Sequence, residues 1–293
     1  MKNKKFIYRT VKVKDYLANK YHDIHLESND KIYYMGFYGV RNWGDAINSE
    51  LIRLLSGKTG VIIPFGKPKQ YERERERERV YSFVGSILSG ASANKNLVVY
   101  GSGFISSSES IINEPSEILA VRGKLTAERI QDSIGYCPKC YGDPAVLYKH
   151  FHTPHRDKKY KLGIIPHWSD YKKIANLYAS NKDVKIIDVD LSGKDFIDKI
   201  CSCQYIASSS LHGLIMADTY GIPNVWLKML SGLHSDDFKY YDYYSVVESD
   251  REPISLTEIN KVDDICSLSE LSHRQIDDNK LLNACPFNKA KSP

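Results

Sequence analysis

From residue 161 onward the chain alternates short apolar segments with amphipathic ones at nearly even spacing, and few folds satisfy that pattern. Residues 161–166, 184–189, 205–207 and 224–227 are dominated by apolar and β-branched side chains and read as strands. Between them, residues 170–180, 195–203 and 211–220 carry helical periodicity, the first with Asp170 as its cap. Strands and helices of this size, in strict alternation, close as βαβ units around a parallel sheet.

The first half repeats the pattern less regularly. Residues 31–38 (KIYYMGFY) read as a strand, and Asn42-Trp43-Gly44-Asp45 as a tight loop. Asp45 is the natural N-cap of a helix that carries Ile47, Leu51, Leu54 and Leu55 at helical spacing and ends at Gly57. Residues 61–63, 80–85, 97–100 and 118–121 read as further strands, with a helix over 126–133 and a Gly142-Asp143-Pro144 turn. The expected fold is α/β, with two Rossmann-like βαβ domains facing a cleft: residues 1–152 and 153–293, joined through the charged linker 151–160. A length of 293 residues suits two domains. Residues 1–30 are a polar, Lys-rich extension. The run 72–79 (ERERERER) has no apolar face, so 71–80 is expected to be a solvated loop. The Tyr-rich stretch from 234 onward (HSDDFKYYDYYSVV) carries no assignable pattern.

Hydrophobic residues make up 42% and charged residues 26%, which excludes a disordered or collagen-like chain. The net charge of +5 is too small to argue for nucleic acid, but it suits an anionic small substrate or an anionic membrane surface. No stretch approaches the ~20 apolar residues of a membrane span. The N-terminal apolar run, Phe6-Ile7-Tyr8, is shorter than a secretory signal requires, so a cytoplasmic protein is expected, with peripheral membrane association as an option. Cys137 and Cys140 form a single CxxC with no second pair at zinc-ribbon spacing. Reduced, partly buried thiols and no metal are expected for the six cysteines.

In open α/β sheets ligands bind beyond the carboxyl ends of the strands, so chemistry is sought there. Five clusters fall at such positions: Asn42–Asp45, Gly101-Ser102-Gly103, Arg122-Gly123, His167 and Ser208-Ser209-Ser210-Leu211-His212. The glycine loop is either a plain tight turn or a cradle of backbone N–H groups for an anion. Arg122 either grips a carboxylate or phosphate bidentately or forms an internal ion pair. His212, at the start of an apolar helix, either exchanges protons near neutral pH or is a structural histidine, and His167 has the same two readings. Gly213 would let a ligand come close, and the serines either donate hydroxyls to an anion or cap the helix. No GxGxxG, GxxxxGK[ST] or GxSxG motif is present, and no pair of carboxylates stands out as a glycosidase dyad.

The segments NWGDAINSELIRLLSGK (42–58), VVYGSGF (98–104), ILAVRGKLTAERI (118–130), YGDPAVLY (141–148), KLGIIPHWSD (161–170) and SSSLHGLIMADTYGIPNVWL (208–227), in this order, resemble the polysaccharide pyruvyl transferase family over about residues 33–245. The resemblance implies a fold like that of the two-domain GT-B glycosyltransferases, with the active site in the cleft. It implies phosphoenolpyruvate as donor, a hydroxyl pair on a glycan or lipid-linked oligosaccharide as acceptor, a pyruvate ketal as product, and no metal or organic cofactor. It makes His212 the general acid/base and Arg122 the holder of the donor anion, while Gly44 and Asp45 shape the cleft. Asn42, Gly44, Asp45, Gly101, Ser102, Gly103, His167, Ser209, Ser210, Leu211 and Lys228 are the expected substrate contacts.

Two departures stand out. Many members carry Arg before the Leu-His pair, where this chain has Ser210, and Pro after the Arg-Gly pair, where it has Lys124. The first removes one anion contact, for which Lys228 or Arg41 are candidate replacements. Two other functions share the expected fold: a nucleotide-sugar glycosyltransferase, and a non-catalytic binding protein for anionic glycans.

Overall fold

A computed structural model describes residues 30–37, 39, 42–65, 77, 79–230 and 236–287. Most of the N-terminal extension and of the Glu/Arg run, together with Arg41, lies outside the described residues. The fold is mixed α/β with two wholly parallel sheets. The first holds β1 (Lys31–Gly36), β2 (Thr59–Pro64), β3 (Val80–Ser82), β4 (Leu97–Tyr100) and β5 (Glu117–Ala120) in the order β2-β1-β3-β4-β5. The second holds β6 (Tyr160–Ile165), β7 (Val184–Ile186), β8 (Cys203–Ser208) and β9 (Asn224–Trp226) in the order β7-β6-β8-β9. In each sheet the order reverses once, between β1 and β3 and between β6 and β8, and a crevice opens at such a reversal.

The helices are α1 (Trp43–Ser56), α2 (Leu88–Ala91), α3 (Lys124–Ile134), α4 (Tyr171–Leu177), α5 (Gly193–Cys201), α6 (Leu211–Thr219), α7 (Phe238–Val247), α8 (Val262–Ser267) and α9 (Asp278–Ala284), with a 3-10 helix over Pro144–His150. Helix α1 begins three residues before the predicted start. Asn42, not Asp45, is its N-cap, its side chain accepting from the Gly44 N–H at 3.2 Å. Asp45 sits in the first turn, where a carboxylate favours the helix dipole. Gly57 closes the helix in the left-handed region at φ 75° and donates to the Arg53 carbonyl. Asp170 does precede α4, but its carboxylate accepts from the Leu230 N–H at 2.8 Å and makes no cap bond.

The predicted strands and the helices of the second half appear within a few residues of their expected bounds. The C-terminal helices α7, α8 and α9 are additions. Helix α7 packs on both α3 and α6, so the Tyr-rich stretch joins the two halves. One hydrophobic core also runs through both: Ile47 and Leu51 of α1 cluster with Phe196 of α5 and Leu214 of α6. Trp43 locks this seam, its ring stacked on Phe196 at 5.2 Å and its indole N–H donating to the Gly193 carbonyl at 3.1 Å. All six cysteines are unpaired thiols, five of them buried. No helix among the described residues is long and apolar enough to cross a membrane.

Candidate active site

The loops after β1, β3, β6 and β8 leave the carboxyl ends of the strands that flank the two reversals. His212, in the first turn of α6 just after β8, meets the first turn of α1 and the Asp143 carboxylate. Its ring lies flat against the first turn of α1: a Cβ built on Gly44 would fall 2.0 Å from Nδ1 and 2.1 Å from Cε1. Only glycine lets that turn approach the imidazole. The other ring nitrogen, Nε2, faces the Asp143 carboxylate at 3.4 Å, and both atoms are buried and make no hydrogen bond. The second oxygen of Asp143 accepts from the Ala145 N–H at 3.0 Å and so caps the 3-10 helix. Asp143 thus stands where a residue that orients a proton-transferring histidine would stand. The sequence offered it only as a turn residue in Gly-Asp-Pro.

Asn48 fastens α1 to the end of β3. Its side chain accepts from the Val84 N–H at 2.8 Å and donates to the carbonyls of Val84, Gly44 and Asp45. This sets Asp45 beside Gly85, which adopts φ +127°; a Cβ there would lie 3.6 Å from an Asp45 carboxylate oxygen. Burial raises the Asp45 carboxyl above its ordinary value, and the charges of His212 and Lys239 with a hydrogen bond from Asn42 partly offset this.

Arg122 is fully buried and its guanidinium is taken up inside the protein. Nε donates to Asp242 of α7 at 2.8 Å, one terminal nitrogen to the Phe104 carbonyl at 2.7 Å, and the other to the Ser86 hydroxyl. Asp242 also accepts from the Thr126 N–H at 2.7 Å and the Thr126 hydroxyl at 2.8 Å. The site's arginine is therefore one half of an ion pair that pins α7 to α3. The glycine loop is taken up in the same way. The Gly101 N–H donates to the Ala120 carbonyl and the Gly103 N–H to the Gly85 carbonyl. Added Cβ atoms would strike Pro144 at 2.2 Å and the Arg122 guanidinium at 2.6 Å. Both glycines serve close packing, and the Ser102 hydroxyl pairs with that of Ser82.

The serines before His212 hold the loop. The Ser208 hydroxyl bonds the Ser210 backbone at both N–H and carbonyl. Gly213 makes room for that hydroxyl, which would lie 2.3 Å from an added Cβ. The Ser209 hydroxyl accepts from the His167 N–H at 2.8 Å and its carbonyl from the Tyr240 hydroxyl at 2.9 Å. Ser210 is the N-cap residue of α6 without a side-chain cap bond, and Leu211 is buried. Burial, then the charge of Lys239, holds the His167 imidazole down to about 4, so this ring is neutral at neutral pH. Lys228 is exposed.

The cation that sequence reasoning missed is Lys239, in the first turn of α7. Its ammonium lies 5.0 Å from the centre of the Tyr240 ring. Burial and the Arg122 guanidinium lower its pKa to about 8, against the pull of Asp45 and Asp237. The same ammonium acts electrostatically on Asp45 of α1 and on His167 after β6, and His212 acts on the same Asp45 carboxylate. An ammonium so placed can hold an anion.

Comparison with known proteins gives the class. The chain belongs to the polysaccharide pyruvyl transferase family, whose match covers residues 12–229. It is 35% identical over 179 residues to the uncharacterized protein L143 of Acanthamoeba polyphaga mimivirus, a match covering 59% of this chain and 61% of that one. It is 32% identical over 180 residues to the succinoglycan biosynthesis protein ExoV of Rhizobium meliloti (strain 1021), covering 58% and 54%. The chain thus spans less than two thirds of the length of either relative.

Proposed function

We propose that the protein transfers pyruvate from phosphoenolpyruvate to a pair of hydroxyls on a sugar of a polysaccharide, or of its lipid-linked precursor, forming a ketal. The family and the Rhizobium relative, named for succinoglycan biosynthesis, support a glycan acceptor. The observation that carries the chemistry is the buried His212–Asp143 pair, with Lys239 and His212 both acting on the Asp45 carboxylate. We read the two sheets as the halves of a GT-B-like cleft around that pair.

Lys239 holds an anionic group of the donor, the part assigned by resemblance to an arginine at position 210. With Nε2 turned to Asp143, Nδ1 of His212 is the nitrogen left to exchange a proton with substrate. The donor methylene takes a proton from His212 and becomes a methyl group, which leaves C2 electrophilic. One sugar hydroxyl adds to C2 and gives its proton back to His212. The C2–O bond to phosphate breaks, the second hydroxyl closes the ketal, and its proton leaves with the phosphate. Positioned acid–base catalysis of this kind contributes ~10²–10⁴-fold. A lipid-linked acceptor would bring the protein to the cytoplasmic membrane face, where its net charge of +5 suits anionic headgroups.

The test is calorimetric binding of phosphoenolpyruvate, followed by phosphate release with candidate glycans, for wild type and His212→Ala. The variant is expected to bind the donor and lose ~10²-fold or more in turnover. Turnover of His212→Ala near the wild-type rate would remove His212 from the mechanism. Binding of a nucleotide sugar without binding of phosphoenolpyruvate would overturn the donor and make the protein a glycosyltransferase.

A further inference from the structure

We infer that Trp168 is the platform on which a pyranose ring of the acceptor lies, an assignment that rests on the pyruvyl-transfer reading above and deepens it. Trp168 follows β6 directly after His167, at the carboxyl end of the second sheet. Its indole is 51% exposed, whereas the other two tryptophans, Trp43 and Trp226, are each 1% exposed.

Single exposed apolar side chains are common on protein surfaces. What distinguishes Trp168 is that the loop presenting it is fixed. The His167 N–H donates to the Ser209 hydroxyl at 2.8 Å, and Ser209 lies three residues before His212. The Asp170 N–H donates to the His167 carbonyl at 2.9 Å, and the buried Asp170 carboxylate accepts from the Leu230 N–H at 2.8 Å. Nδ1 of His167 shares a hydrogen with the Ser169 hydroxyl at 2.8 Å. The loops after β6, β8 and β9 are thereby tied together, and the indole ring centre lies 5.3 Å from that of His167.

An indole face held out rigidly loses little freedom on binding. Its neighbours are a neutral imidazole and a hydroxyl, which hydrogen-bond sugar hydroxyls and do not compete with Lys239 for the anionic donor. An apolar ring face beside neutral polar groups matches a pyranose, which presents C–H bonds on one face and hydroxyls around its rim. A flat aromatic platform also tolerates different sugars, leaving the choice of hydroxyls to the groups around His212.

The experiment uses the two buried tryptophans as silent partners. Acrylamide quenching of tryptophan emission reports almost entirely on Trp168. It is measured with methyl β-D-glucopyranoside, methyl β-D-galactopyranoside and methyl α-D-mannopyranoside as probes. Saturation-transfer NMR on the probes' methyl signals follows binding independently, for wild type, Trp168→Ala and Trp168→Phe. At least one pyranoside is expected to shield the wild-type indole. Trp168→Ala is expected to weaken that pyranoside about tenfold, and Trp168→Phe less, as stacking on an aromatic is worth ~1–1.5 kcal/mol. Phosphoenolpyruvate binding is expected to be unchanged in both variants. Quenching that no pyranoside alters, or saturation transfer undiminished in Trp168→Ala, would overturn the assignment while leaving the donor chemistry standing. Failure of wild type to bind phosphoenolpyruvate would instead strike the proposed reaction, and the pyranoside result would still decide Trp168 as a sugar contact.

Discussion

Replacing Gly44 with alanine tests whether the first turn of α1 is shaped by the imidazole it covers. The added methyl carbon would lie 2.0 Å from Nδ1 of His212, about 1.4 Å short of an ordinary contact. The ring has little room to retreat, because Asp143 faces its far nitrogen and it is buried near Trp43. Overpacking of this kind costs ~1–3 kcal/mol, whereas alanine in place of glycine within a helix returns ~1 kcal/mol. The net loss is then ~0–2 kcal/mol, or roughly 0–8 °C in Tm at 2–4 °C per kcal/mol. Turnover should suffer more, since the methyl covers the nitrogen assigned to proton transfer and a 1 Å misplacement costs ~10²-fold. The decisive comparison needs no acceptor. In a His212→Ala background the obstacle is gone, so Gly44→Ala should stabilise the protein, and thermal unfolding of the four proteins of the cycle gives the coupling directly. If Gly44→Ala lowers Tm equally with and without the imidazole, the packing argument is wrong.

Asp143→Asn keeps the oxygen that caps the 3-10 helix but removes the carboxylate facing His212. Turnover should fall at least ~10-fold with donor affinity unchanged, a loss of the size seen for residues that orient functional histidines; steady-state kinetics with donor calorimetry decides it. Lys239 is charged below its pKa of about 8 and neutral above it, so affinity for the anionic donor should fall as pH rises through that value. Lys239→Met should bind the donor weakly at every pH, and titration calorimetry across the same range checks both. His167 has a folded-state pKa of about 4 against an ordinary 6.5, so the unfolded chain binds the extra proton between those values. Stability should therefore fall as pH drops from 6.5 toward 4, less steeply in His167→Gln, as read by urea unfolding.

The strands and the helix faces that contact one sheet were legible because their periodicity answers to a single buried side. The chemistry was legible only in part. His212, Gly44 and Asp45 lie in local patterns of strand, turn and helix start. Lys239 and Asp242 lie in a helix buried on most sides, with Phe238, Tyr240, Tyr243, Tyr244, Val246 and Val247 all inside, so no amphipathic stripe marks it. Asp242 meets Arg122 across 120 residues of sequence, and no local spacing encodes that meeting. Asp143 was visible as a turn residue, but its second oxygen gains meaning only when α6 brings His212 against it. Gly101 and Gly103 look the same in sequence whether they cradle an anion or admit Pro144 and Arg122; the destinations of their N–H groups separate the two.

The Arg122–Asp242 pair turns that lesson into a test of what the arginine does. Both side chains are fully buried, and Lys239 lies one helical turn before Asp242 on α7. If Arg122 acts by fixing α7, its loss should weaken donor binding through Lys239 even though its guanidinium is occupied elsewhere. Arg122→Met alone leaves a buried carboxylate without its cation, a change that costs ~3–5 kcal/mol. Adding Asp242→Asn removes that charge and keeps an oxygen for the Thr126 N–H, so most of the lost Tm should return. Donor affinity should return with it, to within about threefold of wild type, because α7 and with it Lys239 are again held in place. Recovery of Tm with donor binding still lost would mean that the guanidinium itself meets the donor, after a rearrangement that breaks its bond to Asp242. Recovery of both would make Arg122 a positioning residue and leave Lys239 as the cation that holds the anion.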